Sequence, residues 1–510
     1  DSIRRQRQMC IRDRIGPRAQ EEVGLVLAHA AVTESPTMAI NQCAPGGPTC
    51  VGYALFKPRG HYTRTEELQR FFRTMSMFGQ TPFPTGNVEE MKLAGLLIGL
   101  LMNDADLEEA WQTIYDPTAF LVGLADDYTP YEFHDVVNAE VPSGFADPMV
   151  FADDATAISI SDGLHAIRSI VIDQERSSVR FMGSRATLDA FILDQLVAPF
   201  VTARHDPSAM DVAAVFGSDY ALAIQRAAGA DDYAEYVPQV TRLRRSVAAR
   251  TSAQWAATVY DAWLYAIKAM WIEHGGAYPD FMRSDAWAAK AHQTGLGSYA
   301  ELKHDTILYV KPAFAEGDGP PPPPVPPRHW VEPDPVAFER LAAAANLMGD
   351  GLAARGLLPP EYAELIDDLV EILDRLARLA EDELAGLPIS NADNDWLGGI
   401  GPTLEWIWLR TADVDEYGML DELDEEAAIV ADIATTGMGA LEVATGRIDP
   451  ILVLVPNDQG AFQVAVGGVY SFYEFWQDAS NRLTDEEWRA MLAAGTEPDR
   501  PAWQEVLFAD

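Results

Sequence analysis

Between Gly317 and Pro327 the chain reads Gly-Asp-Gly, five consecutive prolines, then Val-Pro-Pro. No helix or central strand can pass through such a run, because proline removes the backbone donor and fixes φ. The run is a polyproline-type spacer. It divides the sequence into a helical body over 19–316, a Pro-rich connection over 317–333, and a segment over 334–510 that packs on the body.

The body carries helical signals almost throughout. Leu68, Phe71, Phe72 and Met75 share one face of a helix over 64–78, opened by Thr63-Arg-Thr-Glu66 read as a capping box. Further helices are expected over 87–104, 106–114, 116–124, 186–198 and 252–273. A short extended segment fits 179–182. Ser298-Tyr-Ala-Glu301 reads as a second capping box, opening a helix to about 311. The longest apolar run, Leu93–Met102, is too short to span a membrane and reads as a buried helix.

Beyond the prolines, Asp334-Pro335 has the form of an N-cap and first helical residue. From Glu361 to Leu384 the apolar residues recur at helical spacing, marking a long amphipathic helix. The pattern then changes. Ala428–Ile433 and Ile451–Val455 read as strands, Asn457–Gly460 as a turn, Phe462–Phe472 as a second hairpin arm, and Thr484–Glu487 as a third capping box. The expected fold class is mainly α (α+β): a large helical body with a small antiparallel sheet in the C-terminal third.

Charge narrows the function. The chain has 78 acidic and 37 basic residues, a net of −41, with only six lysines against 31 arginines. A protein so acidic has no basic stripe for nucleic acid and is repelled by an anionic membrane face. The balance suits a soluble protein in a salty medium. The first 18 residues run the other way, at +4. Within them Met9-Cys-Ile-Arg-Asp-Arg14 resembles the translation of a sequencing adapter, so residues 1–18 are read as an assembly scar and a disordered start. The alternative is a natural basic arm. On the scar reading, a lipid anchor through a missing N-terminus stays open.

Cys43 and Cys50 flank Ala-Pro-Gly-Gly-Pro-Thr, a turn able to return one thiol to the other. They form either a small-loop disulfide of an oxidising compartment or two separate thiols. No other Cys or His is spaced to complete a zinc site with them. The sequence also lacks a Gly-x-Ser-x-Gly elbow, His-Glu-x-x-His, a P-loop, an EF-hand and a complete dinucleotide fingerprint. No cofactor and no metal is assigned.

Polar–aromatic clusters carry what chemistry there is. On one helical face, Glu301 lies three residues before His304 and four before Asp305. Two carboxylates beside an imidazole can do general acid/base work; the same residues can equally lock the fold. Arg59, His61 and Tyr62 precede a helix start, a place for anion capture or for tying down a loop. Asp126 and Asp127 open a Tyr-rich loop that can bind a cation or a sugar hydroxyl, or simply be solvated. Arg185, Arg283 and Lys290 can hold an anionic or polyhydroxylated ligand. Glu474, beside Tyr473 at a strand end, needs a partner if it faces inward.

Taken in order, Lys57–Tyr62, Asp126–Glu132, Phe181–Arg185, Tyr278–Lys311 and Tyr470–Phe475 resemble the bacterial family called domain of unknown function 3160, over about 25–508. The Cys43–Cys50 loop departs locally from its usual pattern. The resemblance implies export or lipid anchoring, hence an extracytoplasmic location, and supplies no reaction. Two functions follow as expectations. One is an exported or envelope-associated protein binding a small polar or glycan-like molecule or an envelope protein. The other is an extracytoplasmic acid/base hydrolase or lyase using Glu301, His304 and Asp305.

Overall fold

Helix starts in this chain are set by short polar side chains that accept the first free backbone N–H groups. Asn87 accepts from Glu89 and Glu90, Thr129 and Glu132 form a reciprocal box, and Thr484 and Glu487 form another. Asp334 caps Pro335–Ala354 as its sequence suggests. The computed structural model describes residues 16–30, 32–37, 51–172, 177–306, 328–411, 427–456 and 462–508. Residues 1–15, read above as part of a scar, Cys43, Cys50, the expected turn 457–460 and the prolines of 317–327 lie outside them. The chain is mainly α, with a small antiparallel sheet in its C-terminal third.

Two compact units are present. The first takes in the described parts of Asp1–Gln112, Ala125–Arg185 and Asp478–Arg482. Its core is built by helices Val88–Met102, Pro130–Glu140 and Asp154–Ile167, which bury Met91, Ile98, Phe133, Val137, Ile160 and Leu164 together. The apolar run Leu93–Met102 is only half buried, contrary to expectation. Ala94, Ile98 and Leu101 face the core, whereas Leu93, Leu96 and Leu100 are exposed.

The second unit comprises Thr113–Leu124, Ala186–Gln477 and Leu483–Asp510, so it draws on both sides of the Pro-rich stretch. The long amphipathic helix appears as Pro360–Leu384. Strands Val430–Thr436, Gly439–Pro456 and Phe462–Gln477 form one antiparallel sheet in sequence order. The middle strand starts at Gly439 rather than near Ile451. Gly437 and Met438 make a tight turn, and Gly439 has φ +144°, which a side chain would disfavour.

One correction matters for function. Ser298 does not cap a helix. It lies inside Asp285–Thr306, a 22-residue helix, and its hydroxyl accepts from Trp263 Nε1 at 2.9 Å. The helix carries glycine at 295 because a neighbour needs the space, whereas a side chain at 297 would make only ordinary contacts. A Cβ at Gly295 would collide with the indole of the fully buried Trp271, and one at Gly297 would touch Tyr470 and Thr445. A second difference is local too: the helices expected over 106–114 and 116–124 are one, Ala105–Val122, with Pro117 inside it.

Gly295→Val should therefore destabilise the fold by at least about 2 kcal/mol, since overpacking a rigid core forces neighbours off their rotamers. Urea unfolding of the full chain checks this. Unchanged stability would mean that Trp271 does not seat on the glycine.

Candidate functional site

Three places gather functional side chains, all in the second unit. The first lies on the helix Asp285–Thr306, where Glu301, His304 and Asp305 share a face as expected. Their exposures are 9%, 3% and 2%. His304 Nε2 lies 2.9 Å from Asp485 Oδ2, and its Nδ1 lies 3.5 Å from Asp305 Oδ1. Asp485 is itself fixed, accepting from the Val430 N–H at 3.2 Å. Burial alone would lower the His304 pKa, but the Asp485 charge and the hydrogen bonds that His304 donates to both aspartates outweigh it and push it up to about 10. Burial and the Asp305 charge push Glu301 up to about 8. Asp485 is buried too, yet His304 holds it below the usual carboxylate range. Lys303 turns away to the fully buried Asp189, 3.1 Å distant, which also accepts from the hydroxyls of Tyr260 and Tyr299.

The second place is a cavity of about 440 Å³. Tyr220, Trp271, Trp287 and His292 supply aromatic wall, and Glu273, Arg283 and Asp285 supply charge. Glu273 is oriented by the start of the helix Asp219–Ala227, accepting from the N–H groups of Asp219 at 2.6 Å and Tyr220 at 2.8 Å. Arg283 pairs with Asp280. Lys290 is adjacent: it pairs with Glu332 and lies 5.0 Å from the Trp287 ring centre. The buried indole nitrogens of Trp271 and Trp287 have no hydrogen-bond partner among the described residues. His292 bonds Ala288 O at 2.7 Å and Ser218 Oγ at 2.9 Å, and burial pulls its pKa down to about 4.

The third is a cavity of about 340 Å³ lined by Arg204, Asp206, Tyr233, Glu474 and Trp503 among others. Glu474 finds its inward partner here, accepting from the Ala209 N–H at 3.0 Å. Burial raises its pKa to about 7 despite bonds from Ser208 and Ala209. Arg204 is buried, pairs with Asp211 at 2.8 Å and stacks over Tyr236. Tyr473 points elsewhere, edge-on to Trp488 with Arg500 over its ring.

The remaining candidates belong to the first unit. Tyr62 packs in the core against Phe71 and Phe72, with the His61 ring against it and Arg59 just before the short helical turn Gly60–Thr63. Asp126, expected on an open loop, is 8% exposed and accepts from the N–H groups of Val171 and Ile172. Asp127 accepts from Ser178 and pairs with Arg180 at 3.1 Å; burial leads in raising its pKa. Arg185 bridges to Ala125 beside them. Asp485, Glu273 and Asp211 were not picked out by sequence reasoning. Asp485 stands 181 residues from His304, and only the Thr484 cap marked its neighbourhood.

The model of the family described as protein of unknown function (DUF3160) matches residues 6–504. The chain belongs to that family. Neither a curated protein nor a solved structure gave a significant match. Among the described residues, no helix of this family member is long and apolar enough to cross a membrane.

Two outcomes test this electrostatic account. His304→Ala should cost about 3–5 kcal/mol, as loss of one partner leaves buried charge uncompensated; chemical denaturation followed by tryptophan fluorescence reads it. His292 behaves in the opposite sense to a salt-bridged histidine. Its folded pKa is depressed, so its contribution is whole above its ordinary value of 6.5 and fades as pH falls toward about 4. Melting curves of wild type and His292→Gln should diverge most at neutral pH and converge in that window.

Proposed function

We propose that this protein is a noncatalytic, extracytoplasmic binding protein for a small polar, glycan-like molecule, seated in the cavity beside Tyr220, Trp271 and Trp287. The observation that carries this reading is the lining itself. Aromatic faces stack on the apolar faces of a sugar ring, and the exposed Asp285 carboxylate and the oriented Glu273 carboxylate accept from its hydroxyls. Arg283, still partnered by Asp280, sits at the same wall for an acidic group on the ligand.

Export and envelope association, free or through a lipid anchor, are part of the proposal. The acidity of the chain supports them, because a net charge of −41 keeps copies apart in a salty medium and away from nucleic acid. An envelope protein as partner is the alternative occupant.

An acid/base enzyme is a weaker reading at Glu301, His304 and Asp305. A catalytic trio has to meet substrate in an open cleft, whereas these three are buried and line neither cavity. Glu474 is what favours an enzyme, as a carboxyl of pKa about 7 at a cavity wall suits proton transfer at neutral pH.

Titration of the full chain with a panel of neutral and acidic oligosaccharides, read by tryptophan fluorescence, tests the proposal. A saturable change is expected with at least one sugar. Trp287→Ala should weaken it by about 5–150-fold, in line with roughly 1–3 kcal/mol for an aromatic stacking platform. Binding that survives Trp287→Ala and is lost in Glu474→Gln would move the site to the other cavity.

A further inference from the structure

We propose that Glu301, His304 and Asp305 form a site for one divalent first-row transition ion, Zn2+ or Mn2+, which fastens the helix Asp285–Thr306 from within. The site is independent of the ligand cavity.

The donors come from neighbouring turns of one helix. One atom from each residue can be chosen so that all three lie within 4.8 Å of one another. His304 Nδ1 and Asp305 Oδ1 are 3.5 Å apart, long for a hydrogen bond between charged groups. It is the right spacing for two ligands on one ion, since atoms each about 2.1 Å from a tetrahedral centre stand about 3.4 Å apart. The set has to close from at most 4.8 Å to that spacing for Glu301 to become the third ligand.

Two further observations point to a cation. Glu301 Oε2 is buried and has no hydrogen-bond partner among the described residues. A carboxylate oxygen in that state is costly, and a bound ion gives it a partner. The other ring nitrogen of His304 is held by Asp485, 2.9 Å away and itself anchored by the Val430 N–H. Metal-ligating histidines use this arrangement: the far N–H goes to a carboxylate, and the near nitrogen is turned to the ion.

The donor set selects the ion. One imidazole with two carboxylates suits Zn2+ or Mn2+, whereas Mg2+ and Ca2+ prefer all-oxygen shells. Burial of the ligands fits a structural ion, with the helix bearing the ligands and the Asp485 segment bracing the imidazole.

The test uses the full chain, freed of metal by a chelator and checked by circular dichroism. Calorimetric titration with ZnCl2 and MnCl2 should show about one ion bound, with a rise in melting temperature. Co2+ should give visible ligand-field bands without a thiolate charge-transfer band. Glu301→Gln, close to isosteric, should lower affinity at least tenfold, and so should Asp305→Asn. If one variant fails to fold, the other and the wild-type Co2+ spectrum still decide. No binding of any of the three ions to the folded wild type would overturn the proposal. So would a thiolate-type spectrum, or unchanged affinity in a folded variant.

Discussion

The imidazole of His304 and the carboxylate of Asp485 meet 2.9 Å apart in a nearly dry interior. Neither charge would be tolerated there alone. Their pairing fixes where the helix Asp285–Thr306 ends relative to the C-terminal sheet, because Asp485 also takes the N–H of Val430 at the start of the first strand. The same helix positions the cavity, with Trp287 and His292 near its start and Gly295 under Trp271. A single helix thus carries part of a cavity wall near one end and the His304–Asp485 pair near the other.

Polar density alone does not separate an open cavity from a buried network. Glu301, His304 and Asp305 have the composition of an acid/base centre, yet they are buried, and His304 is paired with Asp485. Glu273 and Asp285 are less conspicuous, yet stand at an open cavity. Access and partners, not residue type, separate the two roles.

Much of the architecture was legible because it depends on local chemistry. The Pro360–Leu384 helix followed from its apolar period, Pro335–Ala354 from an Asp-Pro start, and Asp485–Ala494 from Thr484 and Glu487. The helix Asp285–Thr306 was only partly legible, since it is buried on most sides and has no amphipathic period. Its glycines looked like breakers, and Ser298-Tyr-Ala-Glu301 imitated a cap. What gives those residues their meaning is distant in sequence: Trp263 on Ser298, Trp271 on Gly295, Asp485 on His304. The Glu/His/Asp face could be read from spacing. Its burial could not, and neither could the cavity, whose walls come from three separate stretches around 220, 272 and 287.

Hydrogen–deuterium exchange on the native full chain addresses the account at its root. If the His304–Asp485 lock holds the unit together, the amides of Glu301–Asp305 and of Val430 exchange only as fast as the unit unfolds globally, while the cavity-lining segment His274–Ser284 exchanges by local opening. Rapid exchange of Glu301–Asp305 under native conditions, well above the global rate, would contradict it and return these residues to the list of accessible catalytic groups.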